Sequence, residues 1–206
     1  MLRYLVFGMT FAFAAAVQPG PFQAFLLFQA LTRGWRRTLP AAFAPLLSDG
    51  PIILLVLLIL THIPAWLVTA LQGLGGLFLL YLAFGAWKTW RNYTALQAAP
   101  PPDRQQTLLK AALVNLLNPN PYLGWSLVMG PLLLEGWDQA PAYGIALLLG
   151  FYVTLIACSM GIILLFAGAR NLGPKVGRLL VVISAVALAC FGFYELWLGV
   201  RAFWSQ

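Results

Sequence analysis

The chain has 206 residues, 62% of them hydrophobic and only 8% charged, and its 12 Lys and Arg against 5 Asp and Glu give a formal net charge of +7. A soluble domain needs about a quarter of its residues charged, so this composition excludes one and marks an integral membrane protein. In a soluble chain the positive excess would point to nucleic acid, but here the basic residues sit in connecting segments, where they set orientation in the lipid bilayer and call for no nucleic-acid partner.

Hydropathy and helix breakers divide the chain into six helical spans, about 2 to 32, 38 to 60, 64 to 87, 108 to 134, 141 to 169 and 176 to 203. Each is near or above the roughly 20 residues that a span requires. The first begins with Arg3, an apolar run and Ala14-Ala15-Ala16, a small-residue stretch like a signal-peptide cleavage site. Cleavage there would leave an odd number of spans, so the segment reads as a span. Within it, Gln18-Pro19-Gly20-Pro21 interrupts the helix, since each proline deletes a backbone donor and clashes with the preceding turn. Pro21 suits the first turn of a restarted helix, which is expected to begin near Phe22.

The second span carries Asp49 near its centre, within Ser48-Asp49-Gly50-Pro51. A carboxylate at that depth costs about 2.5 to 3.5 kcal/mol on insertion scales, so it must face the interior of the bundle and find a partner. No Lys or Arg lies deep in any span, which leaves a proton, a substrate ammonium group, or hydroxyl and amide donors. His62 falls in the short connector that follows, without companions for a metal. The third span contains Gly73, Gly75 and Gly76, small residues that permit close helix packing within a subunit or between the subunits of a homo-oligomer. The stretch from Thr94 to Asp103, polar and rich in proline, reads as a linker.

In the fourth span, Asn118-Pro119-Asn120-Pro121 repeats the interruption of the first, offset by 100 residues. Here Pro121 is expected to open a half-helix at Tyr122, with Asn118 and Asn120 adding amide donors and acceptors. Unwound backbone is tolerated in hydrocarbon only where protein or a watery cavity covers it. Paired breaks in two halves are therefore a pointer to an enclosed binding site, with half-helix N-termini that favour an anionic group. The candidate substrate-binding residues are Gln18, Pro19, Gly20, Pro21, Phe22, Asp49, Asn118, Pro119, Asn120, Pro121 and Tyr122, with Gln23, Asn115 and Tyr152 as further liners. Glu195, in the sixth span, lies some eight residues from its outer end, about 12 Å of helix, close enough to reach the interface. It stands with Asp49 as a coupling candidate.

The basic residues Arg33, Arg36, Arg37, Lys88, Arg91, Arg104, Lys110, Arg170, Lys175 and Arg178 all fall on one face of a six-span arrangement, which the positive-inside rule makes cytoplasmic. Both termini are then outside. The fold expected is an all-α membrane protein of two inverted three-span repeats, 1–90 and 108–206, joined by a cytoplasmic linker at 91–107. No glycine loop cradles a phosphate, and no nucleophile, base and orienter are arranged for catalysis, so the chain is read as neither nucleotide-driven nor an enzyme. No cofactor and no metal site is called for.

Pro19-Gly20-Pro21, Gly34 with Arg36-Arg37, Ser48-Asp49 and Asn118-Pro119 together resemble the lysine exporter (LysE) superfamily of small amino-acid efflux proteins, over essentially the whole chain. The resemblance implies ion-gradient-driven export of an amino acid or a similar small molecule across the bacterial inner membrane. It assigns motif roles to Pro19, Gly20, Pro21, Asp49, Asn118 and Pro119. Phe22, Ser48 and Asn120 stand where that family often has Asn, Gly and Lys, which leaves the substrate open within the class. The expected function is proton or ion antiport of a small zwitterion by alternating access. Two other classes fit an inverted-repeat frame: a thiol-disulfide electron carrier, which would need a cysteine in each half where Cys158 and Cys190 both fall in the second, and an exporter of an inorganic anion or metal.

Overall fold

A computed structural model describes residues 1–59, 65–91, 104–169 and 174–204, and all the regular structure among them is helical. The chain forms α1 (Leu2–Val17), α2 (Pro21–Arg33), α3 (Trp35–Thr38), a 3-10 turn (Leu39–Phe43), α4 (Ala44–Ile59), α5 (Ala65–Arg91) and α6 (Arg104–Leu116). It continues as α7 (Pro119–Gly124), a π-helical turn (Trp125–Met129), α8 (Gly130–Gln139), α9 (Pro141–Ala169) and α10 (Pro174–Trp204). His62, Arg170 and the proline-rich stretch from Thr94 to Asp103 lie outside the described residues.

Among the described residues, four stretches are long and apolar enough to cross a membrane, Trp35–Leu57, Thr69–Arg91, Pro141–Gly168 and Lys175–Ala202, and the pair α1 and α2, bent by 65° at its break, makes a fifth if taken as one span. The region expected as the fourth span, 108 to 134, is instead divided. There α6, α7, the π turn and α8 follow one another in pieces of 13, 6, 5 and 10 residues. Two local causes act. The Asn118 break ends α6, and Pro131, lacking an N–H, cannot bond Leu127, so the preceding turn widens to the π form. Helix also reaches into both ends of the segment expected as a linker, because α5 runs to Arg91 and α6 begins at Arg104.

Large apolar side chains such as Leu54, Phe84, Leu127 and Leu165 are exposed, as the lipid-facing surface of a membrane protein requires. Lipid gives helices no hydrophobic reason to associate, so close packing must come from small residues. α1 packs along α9 in this way: a Cβ on Gly8 would collide with the Leu147 carbonyl, and one on Gly150 with the Leu5 carbonyl. α5 packs along α10 through Gly76 and Gly192, where a Cβ on Gly76 would stand 2.8 Å from the Gly192 carbonyl. Gly76 of the glycine cluster is thus used within the chain, as is Gly75, where a Cβ would stand 2.5 Å from the Leu117 carbonyl.

At the end of α2, Gly34 takes φ 77°, a left-handed conformation that turns the chain into α3 and that a side chain would strain. The Arg33 guanidinium donates to Thr107 Oγ1 at 2.7 Å and ties that turn to α6. Two buried apolar clusters result. One gathers α2, the 3-10 turn and the facing parts of α5, α9 and α10, including Phe25, Leu31, Ile163 and Leu188. The other gathers α1, α4 and the π turn against α9, including Ala12, Ile52, Trp125, Leu147 and Phe151.

Candidate functional site

The two breaks are built alike from their prolines. Pro19 cannot bond the Ala15 carbonyl and extended Gly20 does not bond that of Ala16, so both lose their helical donors. Gln23 replaces them: its Nε2 donates to Ala15 and Ala16 at 3.2 Å each. Gly20 leaves room for this, since a Cβ there would stand 3.2 Å from Gln23 Oε1. α2 then starts at Pro21, within one residue of the expected Phe22.

In the second break Pro119 cannot bond Asn115, whose carbonyl accepts instead from the Asn118 amide at 3.2 Å. The Leu116 carbonyl accepts from the Tyr122 hydroxyl at 2.9 Å. The restart differs from the expectation. α7 begins at Pro119 and not near Tyr122, because Asn118 caps it by accepting the Asn120 N–H at 3.1 Å, a role the glycine of the first break cannot play.

Asp49 is 2% exposed on α4, beside these two breaks. Its Oδ1 accepts from Asn115 Nδ2 at 2.9 Å and its Oδ2 from the Tyr152 hydroxyl at 3.3 Å. Trp125, whose only polar atom is a donor, is also within reach of the carboxyl. Asn115 Nδ2 bonds Ser48 Oγ at 2.8 Å, and Ser48 in turn donates to the Ala44 carbonyl at 3.1 Å. Among the described residues, no basic side chain is a partner of Asp49. Donors to a charged group contribute about 1.5 to 3 kcal/mol each, enough for two or three to offset the insertion cost of the carboxylate.

A cavity of about 280 Å³ opens beside Asp49, its only charged lining residue among the described residues. Gln18, Pro19, Gly20 and Phe22 line it from the first break, and Asn118, Asn120 and Pro121 from the second. Eight of the expected residues, with Asp49, therefore meet in one place. Pro21, Pro119 and Tyr122 do not line it: Pro119 and Tyr122 are buried in the structure of the second break, and Pro21 lines a smaller void. Glu195 lies in that smaller void as well. It is 6% exposed, so its side chain is buried among neighbouring helices.

Phe11, Trp125 and Phe151 complete the wall opposite the amides, with Trp125 edge-on to Phe151 at 5.6 Å between ring centroids. Sequence reasoning missed all three, since an aromatic residue in an apolar helix carries no signal of which face it takes. Spacing offered a signal for two of them, Phe11 lying one and two turns before Ala15 and Gln18, and Trp125 one and two turns after Pro121 and Asn118. Cys158 and Cys190 are free thiols, and neither lines the cavity. Among the described residues no group of three or more His, Cys, Asp or Glu is placed to hold a metal.

The arrangement can receive a small molecule that carries both charges. A cation is met by one carboxylate, an anion by the start of α2 and the side-chain amides of Gln18, Asn118 and Asn120, and an apolar portion by aromatic rings. Comparison with curated proteins and with solved structures finds no match. A family model described as LysE type translocator matches residues 13–199, which takes in both breaks, Asp49 and Glu195, and the chain belongs to that translocator family.

Proposed function

We propose that this translocator is a secondary active transporter that exports an amino acid or a related small zwitterionic metabolite across the cell inner membrane, by antiport of a proton or another ion. The observation that carries the reading is the convergence of both helix breaks and the buried Asp49 on one amino-acid-sized cavity. The substrate carboxylate sits at the N-terminal end of α2, beside Asn118 and Asn120, and its ammonium group at Asp49. Two inverted three-span repeats, 1–90 and 108–206, with α6 to α8 as the fourth span and 91–107 as a cytoplasmic linker, rock about this site, and both termini face outward.

The test is substrate counterflow in proteoliposomes with a panel of amino acids, with and without an imposed proton gradient. Asp49→Asn is expected to abolish gradient-driven transport while the protein still inserts. Unchanged transport by that variant would remove Asp49 from the mechanism, and counterflow with none of the panel would remove the amino-acid reading.

A further inference from the structure

A second cavity, of about 290 Å³, is lined by α1 on one side and by the π turn and α8 on the other, and shares no lining residue with the Asp49 site. The two sides run antiparallel. At one end a Cβ on Gly136 would stand 3.0 Å from the Tyr4 ring, and at the other a Cβ on Gly124 would stand 3.5 Å from the Phe11 ring. Between those contacts the cavity forms a groove whose lining is graded along its length. Arg3, Tyr4 and Glu135 stand near the first contact. Phe7, one turn further along α1, and Leu127, Val128, Pro131 and Leu132, one to two turns before Glu135, make up the rest. Phe7 is 40% and Leu127 70% exposed, so this apolar part is open on its lipid side.

The charged end is built around one fixed ring. Tyr4 is buried and stacked on Tyr143 with centroids 5.5 Å apart, and its hydroxyl donates to Glu135 Oε1 at 3.1 Å. Gln139 Nε2 donates to the same oxygen at 3.3 Å. Both bonds fall on Oε1, which leaves the acceptor sites of Oε2 for another donor. The Arg3 guanidinium carbon lies 5.9 Å from the centre of the Tyr4 ring. Among the described residues neither Arg3 nor Glu135 forms an ion pair, with the other or with a third group. Two opposite charges held beside one ring without neutralising each other complement a ligand that carries both charges in turn. Trp137, two residues beyond Glu135, is exposed, and Trp and Tyr gather at the headgroup level of a bilayer. The charged end of the groove thus sits at that level, and the apolar end extends into hydrocarbon.

We propose that this groove binds a phospholipid with an ethanolamine headgroup, its phosphate on Arg3, its ammonium on Glu135, and an acyl chain along Phe7, Leu127 and Leu132. An anionic headgroup has no cation for Glu135, and a choline headgroup has no N–H to give Oε2. A free zwitterion fills the charged end alone and leaves the apolar length of the groove uncovered, whereas a lipid covers both. A lipid seated there ties α1, which leads into the first break, to α8, which follows the second.

The test is native mass spectrometry of the delipidated full chain, offered equal amounts of phosphatidylethanolamine, phosphatidylcholine and phosphatidylglycerol with the same acyl chains. The unaltered protein is expected to retain the ethanolamine lipid about fivefold or more over each of the others, the worth of one added hydrogen bond to a charged group. Equal retention, or preference for either competitor, overturns the proposal. Glu135→Gln keeps an oxygen for Tyr4 and Gln139 and removes only the charge, and is expected to bring the preference over phosphatidylglycerol down to about twofold or less. Thermal unfolding in detergent checks that the variant is folded, and an undiminished preference in it also overturns the proposal. Glycerophosphoethanolamine and alanine, which carry the charges without the chains, are the soluble competitors. Displacement of the lipid by either at equal concentration makes the groove a site for small zwitterions and overturns the lipid assignment.

Discussion

Replacing Asn115 by Leu removes the side chain that holds the Asp49 carboxylate. The amide donates at 2.9 Å to Asp49 Oδ1 and at 2.8 Å to Ser48 Oγ. Ser48 keeps its own bond to the Ala44 carbonyl, so the loss falls on the carboxylate. A hydrogen bond to a charged group is worth about 1.5 to 3 kcal/mol. With 1.4 kcal/mol for each factor of ten, a substrate ammonium that depends on a positioned carboxylate loses about 10- to 100-fold in apparent affinity. Tyr152→Phe removes a single bond of 3.3 Å, long for a hydroxyl donor, and is expected to cost no more than about tenfold. The assay is the concentration dependence of counterflow for both variants, with thermal unfolding in detergent to confirm that each is folded. The reasoning fails if Tyr152→Phe weakens the substrate more than Asn115→Leu, or if Asn115→Leu leaves the half-saturating concentration unchanged.

Gln23→Leu strips the Ala15 and Ala16 carbonyls of their donor, at about 1 to 3 kcal/mol for each buried acceptor left unpaired, and is expected to lower the unfolding temperature of the extracted protein. Gly150→Ala drives a methyl group against the Leu5 backbone and is expected to destabilise the α1 and α9 pair by about 1 to 3 kcal/mol. Gly161→Ala, on the same helix with open space around it, is the control and is expected to be neutral or to stabilise by up to about 1 kcal/mol. Both are read by thermal unfolding.

The breaks were legible because proline acts on the backbone directly, whatever surrounds it. Asp49 was legible because a charge in hydrocarbon demands enclosure. The restart at Pro119 was not, since it turns on the Asn118 side chain reaching the Asn120 amide, a local competition that the spacing of prolines leaves undecided. The division of the expected fourth span was missed for a related reason: hydropathy registers how apolar a stretch is but not whether each carbonyl finds a donor, and Pro131 upsets that balance without changing the apolar character. Phe151 was invisible because nearly every neighbour is apolar, so period and polarity no longer separate an inward face from an outward one, whereas Phe11 and Trp125 could be placed only by their spacing from the breaks. Glu195 was read as reaching the interface from its distance to the helix end. Its burial comes from lateral packing of α10 on α5, which distance along the helix does not measure.

Each interruption supplies its own replacement donors from the helix that follows it, Gln23 in one and Tyr122 in the other. Such a bend is latched from within and needs no neighbouring segment to hold its shape. It behaves as a rigid bracket, so the proposed alternating access has to be absorbed where whole helices slide past one another. The angle at either proline pair should therefore stay constant between the inward-open and outward-open states.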